Sequence, residues 1–405
     1  MAAYAVRPWD RTWYRTCRRA WHFGSRQQRN LEPAHPPFTV DLDRALRDAL
    51  AVYYFPGMWE WDRSVVLPLT RQALDRAMFK QRDAHTEITK EQAGRWEEEL
   101  ETGRQLLEHY LQWAPALDRF WPVRVETDFD VQVPDWRSPG EDLVVPGGGE
   151  PIRYQGRVDL LVVDEHDAYW VVRHRLAPEF YDPYLLVLDD ELLAAAWAWE
   201  IFYLGMRMAG TIHNELRPGV TPPDPADPVR RPRASHAFAR ARAAARHDVR
   251  APEAPGVRGV PEANDVQEDD RPPEKTLVAG HRRMYARAEH TPTDVMVEEG
   301  GDMFRRTRIP RSVAEIAGLG RNLGQEALEM ADPHLVPYPT PGRQCGECVY
   351  RPPCLALQDG DDVEPILAAD YRTRPDEVPE EGRLGAVNWS MSRGAAPPAR
   401  WRGRA

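Results

Sequence analysis

Three of the four cysteines fall within ten residues, in QCGECVYRPPC, as Cys345, Cys348 and Cys354. A tight turn of this kind converges soft thiolates on one metal ion or cluster. A fourth ligand has to come from elsewhere, and Cys17, in RTCRRAWHF, is the remaining thiol. If it joins, a metal would clamp the N-terminal segment to the C-terminal one across a loop of more than three hundred residues, whose closure carries an entropic cost. Spacing leaves zinc and iron–sulfur both open, since each accepts four thiolates.

A second group lies in GRVDLLVVDEHDAYWVVRHRL, residues 156–176. This stretch reads as two apolar strands joined by an acidic turn, with Asp159 inside the first strand. The second strand ends in Arg173, His174 and Arg175. Carboxylates on adjacent strands are how a hard divalent cation is held for phosphodiester hydrolysis. Here the first strand offers the carboxylate and the second offers cations.

The elements that must position these groups can be read on either side. Residues 41–55 and 91–117 have helical patterning, and 123–133 alternates as a strand. A Gly- and Pro-rich loop over 134–151 precedes the hairpin. A strongly apolar helix over 189–209 and a short strand over 210–217 follow, which is an α/β arrangement with a mixed sheet. From 218 to 275 proline, alanine and mixed charge replace large apolar residues, so this part reads as a flexible insertion, with ASHAFARARAAARHD as one helix candidate. Order is expected again from 276, with a helix over 311–330. The chain thus divides into 1–217, 218–275, 276–369 and a disordered tail at 370–405.

Composition sets limits. The chain has 405 residues, 42% apolar and 29% charged, with net charge −11, which suits a globular protein and not one that coats nucleic acid with its whole surface. Residues 1–30 nevertheless hold seven arginines against the single acid Asp10. There Arg11, Arg15, Arg18 and Arg19 alternate with Trp9, Trp13, Tyr14 and Trp21, a mixture that single-stranded nucleic acid binding uses. Packed aromatics beside solvated arginines are the equal alternative. His22 and His213 read as ordinary polar residues, not ligands, and Trp197 and Trp199 as packing residues of a buried helix. No signal peptide or membrane span is recognisable, so a cytoplasmic protein is expected. No P-loop is present, so the chain is not itself a P-loop helicase.

Taken together, the hairpin and the cysteines resemble the iron–sulfur branch of the PD-(D/E)XK nucleases, the RecB-like and AddB-like exonuclease domains and the CRISPR-adaptation nucleases. In that branch one cysteine precedes the nuclease core and three follow it with this spacing. The resemblance spans about residues 10–358. It implies a restriction-endonuclease-like mixed central sheet flanked by helices, and a 4Fe-4S cluster held by Cys17, Cys345, Cys348 and Cys354, with zinc as the alternative. It also implies DNA as partner, single-stranded or at duplex ends, and a separate helicase or DNA-processing subunit.

Carried over position by position, the active site departs from the family. GRVD supplies the first aspartate as Asp159. Where the next strand should carry an acid, a spacer and a lysine, the chain has Arg173, His174 and Arg175. The glutamine and tyrosine of the following helix correspond to Glu191 and Ala195, and the histidine of an early helix to Arg47. Glu126 is a looser match to a family acid. With only three lysines against fifty arginines, Lys→Arg reflects a compositional bias, but an acid replaced by Arg173 does not. An arginine cannot accept a proton from water, and a guanidinium near 4 Å from Asp159 gains on the order of 4 kcal/mol at intermediate dielectric. Arg173 is therefore expected to pair with Asp159 in place of Mg²⁺ or Mn²⁺. The function expected is that of a nuclease-like, DNA-binding protein with an impaired or lost catalytic site. Two alternatives stand beside it. One is an active exonuclease rebuilt with Glu191 or the turn acids Asp164, Glu165 and Asp167; the other is a structural accessory subunit.

Overall fold

A computed structural model describes residues 3–85, 87–203, 206–220 and 295–375. The insertion from 221, its helix candidate, the expected resumption at 276 and the tail beyond 375 lie outside these residues.

The centre is a mixed seven-stranded sheet. Its strands are β1 (Tyr4–Val6), β3 (Phe120–Gln132), β4 (Ile152–Asp164), β5 (Tyr169–Leu176), β6 (Met208–Leu216), β7 (Met296–Gly300) and β8 (Phe304–Pro310), in the path β1-β4-β5-β6-β8-β7 with β3 also on β4. A small separate pair joins β2 (Leu31–Pro33) to β9 (Tyr371–Thr373). The hairpin forms as its alternation demands, with Leu160 opposite Val172 and Val162 opposite Trp170. β3 covers one edge of β4 along its length, whereas β1 and β5 pair parallel and antiparallel with different halves of the other edge, Ile152–Tyr154 and Leu160–Val163. Asp159 sits where these two partners part. β5 and β6 run parallel, joined by a helical crossover as parallel strands require.

Helices cover both faces. On one lie α3 (Leu42–Tyr53), α4 (Arg63–Asp83) and α5 (Lys90–Trp113), whose Leu46, Leu50, Leu74 and Leu107 meet Leu160, Val172 and Ile212 of the sheet. On the other, α1 (Pro8–Thr16), α2 (Arg18–Gly24), α7 (Asp190–Phe202) and α8 (Val313–Met330) pack Trp21, Ala194, Ala198 and Leu323 against Tyr154, Leu161 and Val171. α6 (Pro183–Val187) leads into α7, and α9 (Arg351–Asp359) and α10 (Glu364–Asp370) lie near β9.

Local chemistry explains the boundaries. Asp41 caps α3 by accepting from Arg44 N, and Thr89 with Gln92, and Ser312 with Glu315, form capping boxes on α5 and α8. The apolar run expected as one helix over 189–209 divides, because α7 ends at Phe202 and β6 begins at Met208. α4 has no counterpart in the sequence reading. Its buried residues Val66, Thr70, Leu74 and Met78 recur every four positions, but the exposed Val65, Leu69 and Phe79 blur that stripe. β9 corrects the expectation of a tail from 370 onward, since Leu31 pairs with Thr373 and Pro33 with Tyr371.

A polar knot ties the helical layer to the sheet. Arg306 of β8 is 3% exposed and donates to Asp118 at 2.9 Å. Tyr54 donates to Asp118 at 3.1 Å and lies 2.8 Å from the Tyr110 hydroxyl. Asn214 donates to that hydroxyl at 2.9 Å and lies 2.8 Å from His174 Nδ1. Burial, then Arg306 and Arg47, drive the His174 pKa down to about 3. The ring is therefore neutral, and its Nδ1 accepts from the Asn214 amide. Thus the middle residue of Arg173-His174-Arg175 belongs to the interior. Removing one partner of such a pair strands a buried charge. Arg306→Met should lower stability by about 3–5 kcal/mol, read as a shift of the urea midpoint.

Candidate functional site

The site is built where β3, β4 and β5 meet the start of α3 and α7. Gly156 begins it: a Cβ there would lie 2.5 Å from the Phe129 ring, so the glycine lets β3 close over β4. Three residues on, Asp159 is 9% exposed, and its Oδ2 accepts the His174 backbone N–H at 3.1 Å. Burial raises its pKa, while Arg173 and Arg47 pull it down.

Glu126 joins it from β3. It falls between the pairs Val125–Leu160 and Thr127–Val158, which sets it across from Asp159. Its φ of +41° lies in the left-handed region, which costs an ordinary residue energy and is held here by surrounding structure. Burial, and then the Asp159 charge, push the Glu126 pKa up to about 7, against Arg44 and Arg157. Two adjacent buried carboxylates resist ionising together.

Guanidiniums surround this pair. Arg47 of α3 brings Nη1 to 3.9 Å from Asp159 and Nη2 to 2.9 Å from Asp43. Asp43 also accepts Leu176 N at 2.6 Å, fixing the start of α3 to the end of β5. Arg44 and Arg157 reach Glu126 at 3.7 and 3.3 Å. On β5, Arg173 pairs with Glu191 at 3.0 Å and Arg175 with Asp189 at 3.3 Å. Asp189 caps α7 through Glu191 N at 3.0 Å, so the same carboxylate starts the helix and holds the arginine. His213, across β6 from Arg173, is buried with Nδ1 3.9 Å from Asp189.

The residues singled out in the hairpin therefore do meet, with one correction. Arg173 acts on Asp159 through its field, but its direct partner is Glu191; the guanidinium at ion-pair distance from Asp159 is Arg47. Glu191, a candidate replacement ligand, is engaged by Arg173. The turn acids do not serve either. Asp164 lies at the far end of β4, where it accepts from His166 N, Ala168 N and Trp170 Nε1 at 2.9, 3.1 and 2.8 Å and shapes the turn. Ala195 is buried in α7 against the sheet. Sequence reading missed Arg44, Arg157 and Asp43. The i, i+3 spacing of Arg44 and Arg47 on α3 was the available signal for one of them.

No family model and no curated protein matches this chain. Its chemistry rests on its own residues.

The N-terminal arginines, candidates for phosphate contact, are engaged with acids and carbonyls of the chain itself. Arg11 is 3% exposed and grips Glu326 at 2.8 Å and Asp190 at 3.1 Å. Arg15 meets Asp190 at 2.6 Å and also Glu326. Arg18 lies 3.7 Å from Glu329 and over the Tyr14 and Tyr338 rings. Arg19 donates to the carbonyls of Pro337 and Cys354. Their common task is docking α1 and α2 onto α7, α8 and the cysteine segment. Of the aromatics, Trp21 and Tyr14 are buried, Tyr14 meeting Trp21 edge-on at 5.1 Å, whereas Trp9 is exposed.

The segment that carries Cys17 packs against part of the C-terminal cysteine segment, but the four thiols are not gathered into one ligand group. Buried Cys17, at the junction of α1 and α2, packs in a small core with Phe23, Tyr350, Val363, Leu367 and Tyr371, and Cys348 lies against it. Tyr350 stacks on Phe23 at 5.7 Å and donates to the Leu31 carbonyl at 2.7 Å. Burial raises the Cys348 pKa, and the charges of Cys17, Cys345 and Cys354 add to it. Arg19 Nη1 lies 3.7 Å from Cys354 Sγ. Among the described residues no three His, Cys, Asp or Glu side chains converge as a group to hold a metal ion. No helix among these residues is long and apolar enough to cross a membrane.

The Glu126–Asp159 pairing has a thermodynamic signature. The Glu126 pKa stands above its ordinary 4.5 in the folded protein. The stability this contributes is complete below pH 4.5 and is lost as pH rises to about 7, where the curve flattens. The loss is on the order of 3 kcal/mol across that window. Urea unfolding of the parent and of Glu126→Gln over the same range should give a stability difference that grows in favour of the variant as pH rises.

Proposed function

We propose that this chain is a PD-(D/E)XK-type protein whose divalent cation has been replaced by fixed guanidiniums, and that it binds DNA without cleaving it. The observation that carries the reading is the charge pattern at Asp159. Arg47, Arg173 and Arg175 stand where the family has a histidine, an acid and a lysine, and each is engaged with a carboxylate of the same site. The mixed sheet with flanking helices, and the Gly156-to-Asp159 spacing on a central strand, agree with a restriction-endonuclease-like core. A fixed cation next to Asp159 neutralises the charge that would attract Mg²⁺ or Mn²⁺. Arg175, always protonated, cannot help form hydroxide. What such a core retains is shape and surface, suited to holding nucleic acid or to assembling with a helicase or other DNA-processing subunit.

The purified full chain, incubated with labelled single- and double-stranded DNA and Mg²⁺ or Mn²⁺, should retain DNA in a salt-sensitive manner and leave it intact. Cleavage that disappears in Asp159→Ala would overturn the reading. Salt-insensitive or absent binding would favour the purely structural accessory role.

The same reading includes a 4Fe-4S cluster on Cys17, Cys345, Cys348 and Cys354. The donor set is all thiol, Cys17 is buried among apolar and aromatic side chains, and the other three lie within electrostatic reach of one another through Cys348. A cubane is wider than a single ion and holds its thiolates farther apart, so the lack of a tight ligand group for one ion bears more on zinc. Such a cluster would join the segments that β2 and β9 already bring together. Anaerobically purified protein should be brown, with broad absorbance near about 400 nm from thiolate-to-iron charge transfer. Cys17→Ala should lose the colour and lower the melting temperature. A colourless parent protein containing zinc, or unchanged metal content and stability in Cys17→Ala, would sink the four-cysteine clamp.

A further inference from the structure

α4 buries one apolar face and leaves a second one exposed. Val66, Thr70, Leu74 and Met78 are buried in the core. On the outer side, Trp61 is 52% exposed, Val65 47% and Leu69 38%, and Pro68 beside Leu69 is exposed as well. A single exposed apolar residue is ordinary, but several on one face of one helix mark an interaction surface.

Charge is ordered along the same line. Asp62, Val65, Leu69, Gln72 and Arg76 are all exposed and follow one another at intervals of three, four, three and four residues. That spacing keeps side chains on the face a helix turns towards a second helix. Glu60 and Asp62 make one end acidic, and Arg76 makes the other basic. Asp62 is fixed there because it caps α4, accepting Ser64 N at 2.8 Å. Among the described residues, none of these three charges stands at ion-pair distance from an opposite one. On the side of α4 next to α5, by contrast, charges are matched within the chain. Arg71 meets Glu108 at 2.7 Å, and Arg104 meets Asp75 at 2.8 Å.

The outer pattern is complementary to itself. Asp62 lies seven residues before Leu69, and Arg76 seven after it. At 1.5 Å per residue each stands about 10 Å from Leu69 along the helix axis. A second α4 laid antiparallel at a shallow crossing, with Leu69 on the two-fold axis, sets Asp62 of each copy beside Arg76 of the other. Val65 then meets the stretch around Gln72 and Ala73. A parallel arrangement would instead bring like charges together at both ends.

We propose that this face of α4 is a self-association surface, on which a second copy of the chain docks antiparallel about Leu69. The contact is isologous, the same patch serving both copies. α4 is 21 residues long, and one helix face is small beside the roughly 800 Å² per partner of a standard interface. The pairing is therefore weak and concentration-dependent, in the micromolar range. It shares no residue with the Asp159 group and stands separately from the function proposed for that group.

Sedimentation equilibrium of the full chain at low salt, from low to high micromolar concentration, should show a reversible monomer–dimer equilibrium. Leu69→Glu places two like charges at the axis and should leave the protein monomeric throughout. Its melting temperature should match that of the dilute parent, because Leu69 is exposed in the single copy. Arg76→Glu sets acid beside acid at both ends and should raise the dissociation constant roughly tenfold, a difference that narrows as salt is added. Leu185→Glu, at a residue of α6 that is 59% exposed, should dimerise like the parent. A parent that stays monomeric at every concentration overturns the proposal, as does assembly beyond a dimer. So does an unchanged dissociation constant in Leu69→Glu or in Arg76→Glu, or loss of the dimer in Leu185→Glu, each of which places the contact elsewhere.

Discussion

A carboxylate buried inside a sheet has to be neutralised, and in this protein arginine does so at every step. Asp159 and Glu126 face each other across β4 and β3, shielded from water, and their charges are offset by Arg47, Arg44 and Arg157. The pairing then runs outward. Arg173 takes Glu191 at the head of α7, and Arg175 takes Asp189, the cap of the same helix. Asp190, the next residue, takes Arg11 and Arg15 of α1, which also hold Glu326 of α8. These are separate ion pairs, adjacent along β5 and the first turn of α7, and together they link both helical layers to the hairpin.

This constraint bears on chemistry. A hydrolytic cation site needs carboxylates whose charge is left for the metal. Here Asp159 and Glu126 have guanidiniums within ion-pair distance, and a guanidinium does not deprotonate; on the reading proposed above, little charge is left for a metal. The buried knot of Asp118, Arg306, Tyr54, Tyr110, Asn214 and His174 behaves similarly on the opposite face, so both sides of β5 are fixed by polar contacts as well as by apolar packing.

The chain ends show a different economy. Arg11, Arg15 and Arg18, which looked suited to nucleic acid, meet acids on α7 and α8 and so help to dock α1 and α2. The pairing of β9 with β2 adds to this docking through a contact between residues more than three hundred positions apart.

What the sequence by itself determined is what depends on local period and spacing. The β4–β5 hairpin, the helices α3, α5 and α8, and the α/β character follow from alternation, capping residues and turn chemistry, all readable within a few positions. The position of Asp159 beside Arg173 on adjacent strands also follows, since strand alternation and a short turn leave little freedom. Only the tertiary structure decided which partner each charge takes. Arg47 rather than Arg173 approaches Asp159, Glu126 adopts a left-handed backbone opposite it, and Arg11 faces inward. These outcomes depend on how separate elements pack, and ion pairing across such distances has no periodic trace in the chain. α4, with both of its faces carrying apolar residues, and the split of the 189–209 run into helix and strand were decided by the same packing.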